Sequence, residues 1–111
     1  AFAAPEQLLN EQQGPGTDLF SLASVVAFAL TGSPPFGEGE PTAILARQLS
    51  HGFSDPTLPD AVSEWLARAF QADPERRFSD AAEMKSEWCR AVETTRHVDA
   101  RHGFLTKFFH R

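Results

Sequence analysis

The stretch from Thr17 to Phe36 reads TDLFSLASVVAFALTGSPPF, and its centre, Leu19 to Leu30, is an apolar run broken only by Ser21 and Ser24. The run is too short to cross a bilayer as a helix, which takes about 20 residues. The acid Asp18 stands before it, where a secretory leader would carry Lys or Arg. A helix apolar on every side belongs in the middle of a protein, wrapped by other elements. Thr17 is the candidate N-cap, and Asp18 suits the positive end of the helix dipole. Gly32 and then Pro34-Pro35 end the run. The spacing predicts a buried central helix over residues 17–31.

Outward from that helix, residues 33–41 (SPPFGEGEP) form a Pro/Gly loop with one large apolar anchor, Phe36. A modest helix follows from Thr42 to about Leu49, with Pro41 suited to its first turn and Ile44, Leu45 and Leu49 on its inner face. From Asp60 to Gln71, Val62, Trp65, Leu66, Ala69 and Phe70 recur at i, i+3, i+4, i+7 and i+8, the clearest amphipathic pattern in the chain. It stops before Asp73-Pro74, because proline pushes the preceding residue out of the helical region. A last long helix starts near Ser79 or Asp80, where Asp80 and Glu83 suggest a capping box, and runs at least to Glu93 and toward Gly103. Its apolar stripe is Ala81, Met84, Trp88 and Val92, and Cys89 reads as a small buried side chain. No strand-like alternation of useful length and no internal repeat occurs. The fold class is all-α, about five helices.

The 111 residues carry 15 acids against 10 Lys plus Arg, with 41% hydrophobic residues. That is enough for one core and too apolar for a disordered tail. The net charge of −5 argues against a nucleic-acid binder. One cysteine excludes a disulfide framework and a thiol zinc cluster. His97 and His102 are off the i, i+4 spacing that two helical ligands need, so no metal site is expected. The charge divides along the chain. Residues 1–95 hold 14 acids and six Lys plus Arg, whereas 96–111 hold Arg96, Arg101, Lys107 and Arg111 against Asp99 alone. The division reads as an acidic body over 1–95 and a basic aromatic tail over 96–111. That tail, ending RHGFLTKFFHR, is a linker or a segment packed back on the fold. Contact with a membrane surface or a partner is the less favoured alternative.

Three blocks now stand in order: AFAAPEQLL, TDLFSLASVVAFALTGSPPF and LARAFQADPERRFSD. Together they resemble the second half of the C-terminal lobe of a eukaryotic-like (Hanks-type) Ser/Thr protein kinase, most like the bacterial members, over residues 1 to about 92. The resemblance implies that Ala4-Pro5-Glu6 closes an activation segment. Phe2, Ala3, Ala4 and Pro5 then belong to the loop that positions substrate beside the phosphoacceptor. It implies that Glu6 pairs with Arg77, although Arg76 is a rival by position alone. It implies that Asp18 accepts backbone hydrogen bonds from a catalytic loop, and that the central helix carries the lobe's apolar stacks. The later helices would dock substrates and regulators. Phe2 stands where Tyr is usual in the family, Phe20 where Trp is, and Ala23 where Gly is; residues 96–111 have no family counterpart.

Phosphoryl transfer has an explicit parts list: a Gly-rich phosphate loop, a Lys, a catalytic Asp in H-R-D and a metal-binding Asp in D-F-G. None of these motifs occurs in the chain. Met84 is its only methionine, so the expectation is a piece of a longer kinase that starts just past the activation segment. No residue is expected to be catalytic or to bind metal, and ATP with Mg is expected only for the complete parent kinase. Two function classes follow. One is the substrate-docking and structural floor of a Ser/Thr kinase, not catalytic alone. The other is a non-catalytic helical interaction module derived from a kinase lobe. Expected partners are the rest of the kinase domain, another protein, or a second copy through an uncovered side of the central helix, in a cytoplasmic setting. An apolar patch of several hundred Å2 does not usually stay in water.

Overall fold

A computed structural model describes residues 2–9 and 11–102. Among these the chain is all-helical: α1 (Pro5–Leu8), α2 (Pro15–Thr31), α3 (Pro41–His51), α4 (Asp60–Ala69) and α5 (Ala81–His102), with a 3-10 turn at Pro74–Arg76. α4 and α5 pack on each other, α2 lies against α4, and α1 rests on α3. The basic tail from 103 to 111 lies outside the described residues, while α5 itself continues past residue 95 to His102.

The central helix starts two residues earlier than its sequence signals suggest. Pro15 takes the first helical position, where its missing N–H costs nothing, and Gly14 is the N-cap. Thr17 is therefore not the cap: it sits at the third helical position, and its hydroxyl accepts from the Gly14 N–H at 3.2 Å. At the other end Gly32 adopts φ +78°, left-handed backbone that glycine enters without strain, and its N–H closes on the Phe28 carbonyl at 2.8 Å. Leu19, Phe20, Ala23, Ser24 and Ala27 are buried along one side of α2. The opposite side is open: Leu22 is 52% exposed, Val25 54% and Phe28 44%, and the exposed Asp18 shares that face one turn before Leu22.

The four periodic positions of α4, Val62, Trp65, Leu66 and Ala69, are buried, and so is Phe70 at its C-cap. The Trp65 indole N–H donates to the Met84 carbonyl at 3.1 Å, which satisfies the one polar atom of a buried ring. Phe20, Phe36, Phe53 and Phe70 form an aromatic cluster with ring centroids 5.1–6.5 Å apart, so Phe36 pins its Pro/Gly loop onto α2 and α4. Arg47 of α3 holds the same loop, donating from Nε to the Phe36 carbonyl at 2.6 Å and from Nη2 to the Glu38 carbonyl at 2.8 Å.

α5 buries a different stripe from the expected one. Met84, Ala91 and Thr95 face inward with Trp88 half-buried, while Ala81 is exposed. Cys89 is exposed, one residue and so about 100° around the helix from Trp88, which corrects its reading as a buried side chain. The cap of α5 is a box shifted by one residue. Asp80 accepts from the Glu83 N–H at 2.8 Å, but the Glu83 carboxylate reaches back to the Ser79 N–H at 2.7 Å instead of to Asp80.

Candidate functional site

A buried ion pair joins Glu6, near the start of the described residues, to Arg77 at the end of the 3-10 turn. The 3-10 turn that delivers Arg77 is set by Asp73-Pro74: the Asp73 carboxylate accepts from the Glu75 N–H at 2.9 Å, and the turn sends the next side chain inward. Arg76 is exposed and Arg77 is 2% exposed, so the geometry chooses between the two rivals. Across from it, Pro5 starts α1 and Glu6, 4% exposed, points into the core.

Arg77 grips Glu6 with two parallel bonds, Nη1 to Oε2 at 2.7 Å and Nη2 to Oε1 at 2.9 Å. Its remaining donors are also used. Nε donates to the Gln71 carbonyl at 2.7 Å, Nη1 also to Gly16 at 3.1 Å, and Nη2 also to Ala72 at 3.2 Å. Every one of the five guanidinium N–H groups thus has an acceptor, and the plane lies 4.8 Å from the Phe20 ring centroid. The Thr17 hydroxyl donates to Glu6 Oε2 at 2.6 Å. One cluster therefore ties α1, the start of α2, the segment that follows α4 and the 3-10 turn. A lysine could offer neither the fork nor five donors.

Burial pushes the Glu6 carboxyl up, but the hydrogen bonds from Arg77 and Thr17, with the arginine charge, outweigh it and hold the group below the usual carboxylate range. A folded-state value below the unfolded one stabilises the fold above the unfolded value of about 4.3, and that stability is lost as pH falls through the folded value. Glu6→Gln is expected to flatten the acid limb of a stability-versus-pH curve and to cost stability at pH 7. Urea titrations at pH 7 and below pH 4 check this; parallel curves for the two proteins would refute it.

The other expected site residues fall as follows. Phe2 and Ala3 are half-buried, Ala4 and Pro5 buried. The Phe2 ring meets Phe28 edge-on with centroids 5.7 Å apart, which lays the segment before α1 against the far end of α2. Asp18 is exposed and stands apart from the Glu6–Arg77 cluster despite its nearness to Thr17 in sequence. Sequence reasoning missed Thr17 as a partner of Glu6, and it missed the Gly16 carbonyl. It also missed Gln7 and Gln48, which hold the Ala3–Ala4 peptide: Gln7 Oε1 accepts from the Ala4 N–H at 2.9 Å, and Gln48 Nε2 donates to the Ala3 carbonyl at 2.8 Å.

Among the described residues no group of His, Cys, Asp and Glu could hold a metal ion. The loop that holds Gly37 and Gly39 is packed by Arg47, whose guanidinium would meet a Cβ on Gly37 at 3.4 Å. No helix among the described residues is long and apolar enough to cross a membrane.

The chain is homologous, over most of its length, to bacterial Ser/Thr protein kinases of the Hanks type. It is 38% identical over 77 residues to the probable serine/threonine-protein kinase PkwA of Thermomonospora curvata, a match covering 69% of the chain and 10% of that protein. To the serine/threonine-protein kinase PknF of Mycobacterium tuberculosis it is 32% identical over 103 residues, 93% of the chain and 20% of PknF. To PknB of the same organism it is 31% identical over 97 residues, 80% of the chain and 15% of PknB. The chain thus spans a tenth to a fifth of the length of these relatives. No protein-family model matches it.

Proposed function

We propose that the chain is the substrate-docking and structural floor of the C-terminal lobe of a Ser/Thr protein kinase, over residues 1–95, and that the phosphoryl-transfer groups lie outside it. The observation that carries the reading is the two-pronged Glu6–Arg77 pair, which closes the Ala4-Pro5-Glu6 block onto the Asp73–Arg77 block. Support comes also from the open side of α2, where Asp18 sits exposed in line with Leu22 and Val25. An acid beside an apolar strip suits a neighbour that brings backbone N–H groups and apolar side chains together, as a catalytic loop and its preceding helix do. Phe2 to Pro5, which lead into α1 with Phe2 against the end of α2, then border the substrate. ATP and Mg belong to the complete kinase, and the setting is cytoplasmic.

The test is assembly in trans. The chain alone, heated with ATP and magnesium, is expected to show no shift in melting temperature. Mixed with a kinase half that carries G-x-G-x-x-G, H-R-D and D-F-G from its own source gene, it is expected to form a complex that transfers phosphate to a Ser/Thr peptide. A nucleotide shift on the chain alone, or a source gene without those motifs, would sink the reading.

The same open face favours a second reading, a non-catalytic helical module that pairs with a protein or with its own copy through Leu22, Val25 and Phe28. Light scattering separates the two: a stable dimer that persists in the presence of the catalytic half supports the module, and a monomer excludes the self-pairing form.

A further inference from the structure

The Ala3–Ala4 peptide is held in a way that packing alone does not require. It is one planar unit, and a different glutamine takes each of its polar ends: Gln48 of α3 donates to its carbonyl and Gln7 of α1 accepts from its N–H. Ala4 is fully buried and Gln48 is 2% exposed. Gln48 Oε1 is buried with no partner among the described residues. That orphan acceptor is costly, and an apolar side chain of the same length would fill the space without it. What the amide does that an apolar side chain cannot is fix the rotation of the peptide plane. That rotation is set by ψ of Ala3 and φ of Ala4, the dihedrals through which the Phe2–Ala3 segment leaves α1, and Phe2 is in turn braced on Phe28.

We propose that Gln48 is a positioning residue through which α3 sets the conformation of the Phe2–Ala4 segment, and hence the selectivity for the residue that follows the phosphoacceptor in a Ser/Thr protein substrate. The selectivity half rests on the function proposed above; the clamp on the peptide does not. Gln48 touches no reacting group. It acts through the segment it holds, and it couples that segment to a helix 45 residues away in sequence. A shift of α3 by a bound protein would turn the same peptide.

Gln48→Met keeps the length and apolar stem and removes both amide atoms. In the 111-residue chain, NMR is expected to show a displaced Ala3 carbonyl-carbon resonance and Ala4 amide exchange faster by about tenfold, with little change in global melting. An unmoved carbonyl resonance and unchanged exchange overturn the proposal outright. In the kinase assembled in trans, the same substitution is expected to change KM by about fivefold in a manner that depends on the residue after the acceptor, with kcat within about twofold. A uniform fall in kcat, or unchanged KM across such peptides, overturns the selectivity half. An assembled wild-type complex that transfers no phosphate overturns the function it rests on, and the first arm still decides the clamp.

Discussion

Arg77→Ala is expected to destabilise the chain by about 3–5 kcal/mol, because removing one partner of a buried ion pair leaves the other charge uncompensated. The loss reaches beyond Glu6. Gln71, Ala72 and Gly16 each lose the donor to their carbonyl, and Phe20 loses the cation beside its ring. A domain of this size shifts its melting temperature by about 4–8 °C per kcal/mol, so the variant should melt at least about 12 °C lower or be unfolded at room temperature. Arg77→Lys keeps the charge and loses the fork, and it should fall between wild type and alanine. The exposed neighbour supplies the control: Arg76→Ala should stay within about 0.5 kcal/mol of wild type. Urea denaturation followed by circular dichroism measures all three. Equal losses at positions 76 and 77 would refute the account of the cluster.

Phe20→Ala should cost about 3–5 kcal/mol, the range for emptying a buried aromatic site that cannot collapse. Phe20 is fully buried, stacked at 6.2 Å on Phe36 and edge-on at 5.1 Å to Phe70. On its other side lies the guanidinium of Arg77, so the substitution removes a wall of the ion-pair site as well as core volume. Phe20→Leu keeps most of the volume and should cost under about 2 kcal/mol. The two substitutions at positions 20 and 77 share contacts, so their costs should not add, and a double-mutant cycle should return a coupling of about 0.5–2 kcal/mol. A Phe20→Ala protein that melts with wild type would place the ring outside the core.

How far these features can be read in advance depends on whether their causes are local. α4 is legible because Val62, Trp65, Leu66, Ala69 and Phe70 keep one period and meet one neighbour face. The start of α2 is harder, since Pro15 and Thr17 both suit a helix opening. The structure uses Pro15 for the opening and frees the Thr17 hydroxyl for Glu6. Burial of Ala91 and Thr95 in place of Ala81 and Val92 reflects how α5 rotates against α4, and no residue of α5 encodes that alone. The pairing of Glu6 with Arg77 follows no periodicity. It was legible only as a family resemblance, and its three carbonyl acceptors and Thr17 were not legible at all. The Gln48 bond to Ala3 is of the same kind, since two helices must be placed before either partner has meaning.

The Glu6–Arg77 contact also carries a consequence for the order of events during synthesis. The two residues lie 71 positions apart, and the chain is made from its N-terminus. Throughout the making of α1, α2, α3 and α4, Glu6 lacks both of its guanidinium bonds and has only the Thr17 hydroxyl as a partner. The first helix therefore gains its ion-pair lock only once Arg77 has emerged, long after its own synthesis. A nascent chain halted before residue 77 would leave the Phe2–Leu8 stretch open to protease, and a chain released just beyond it would close that window in a single late step.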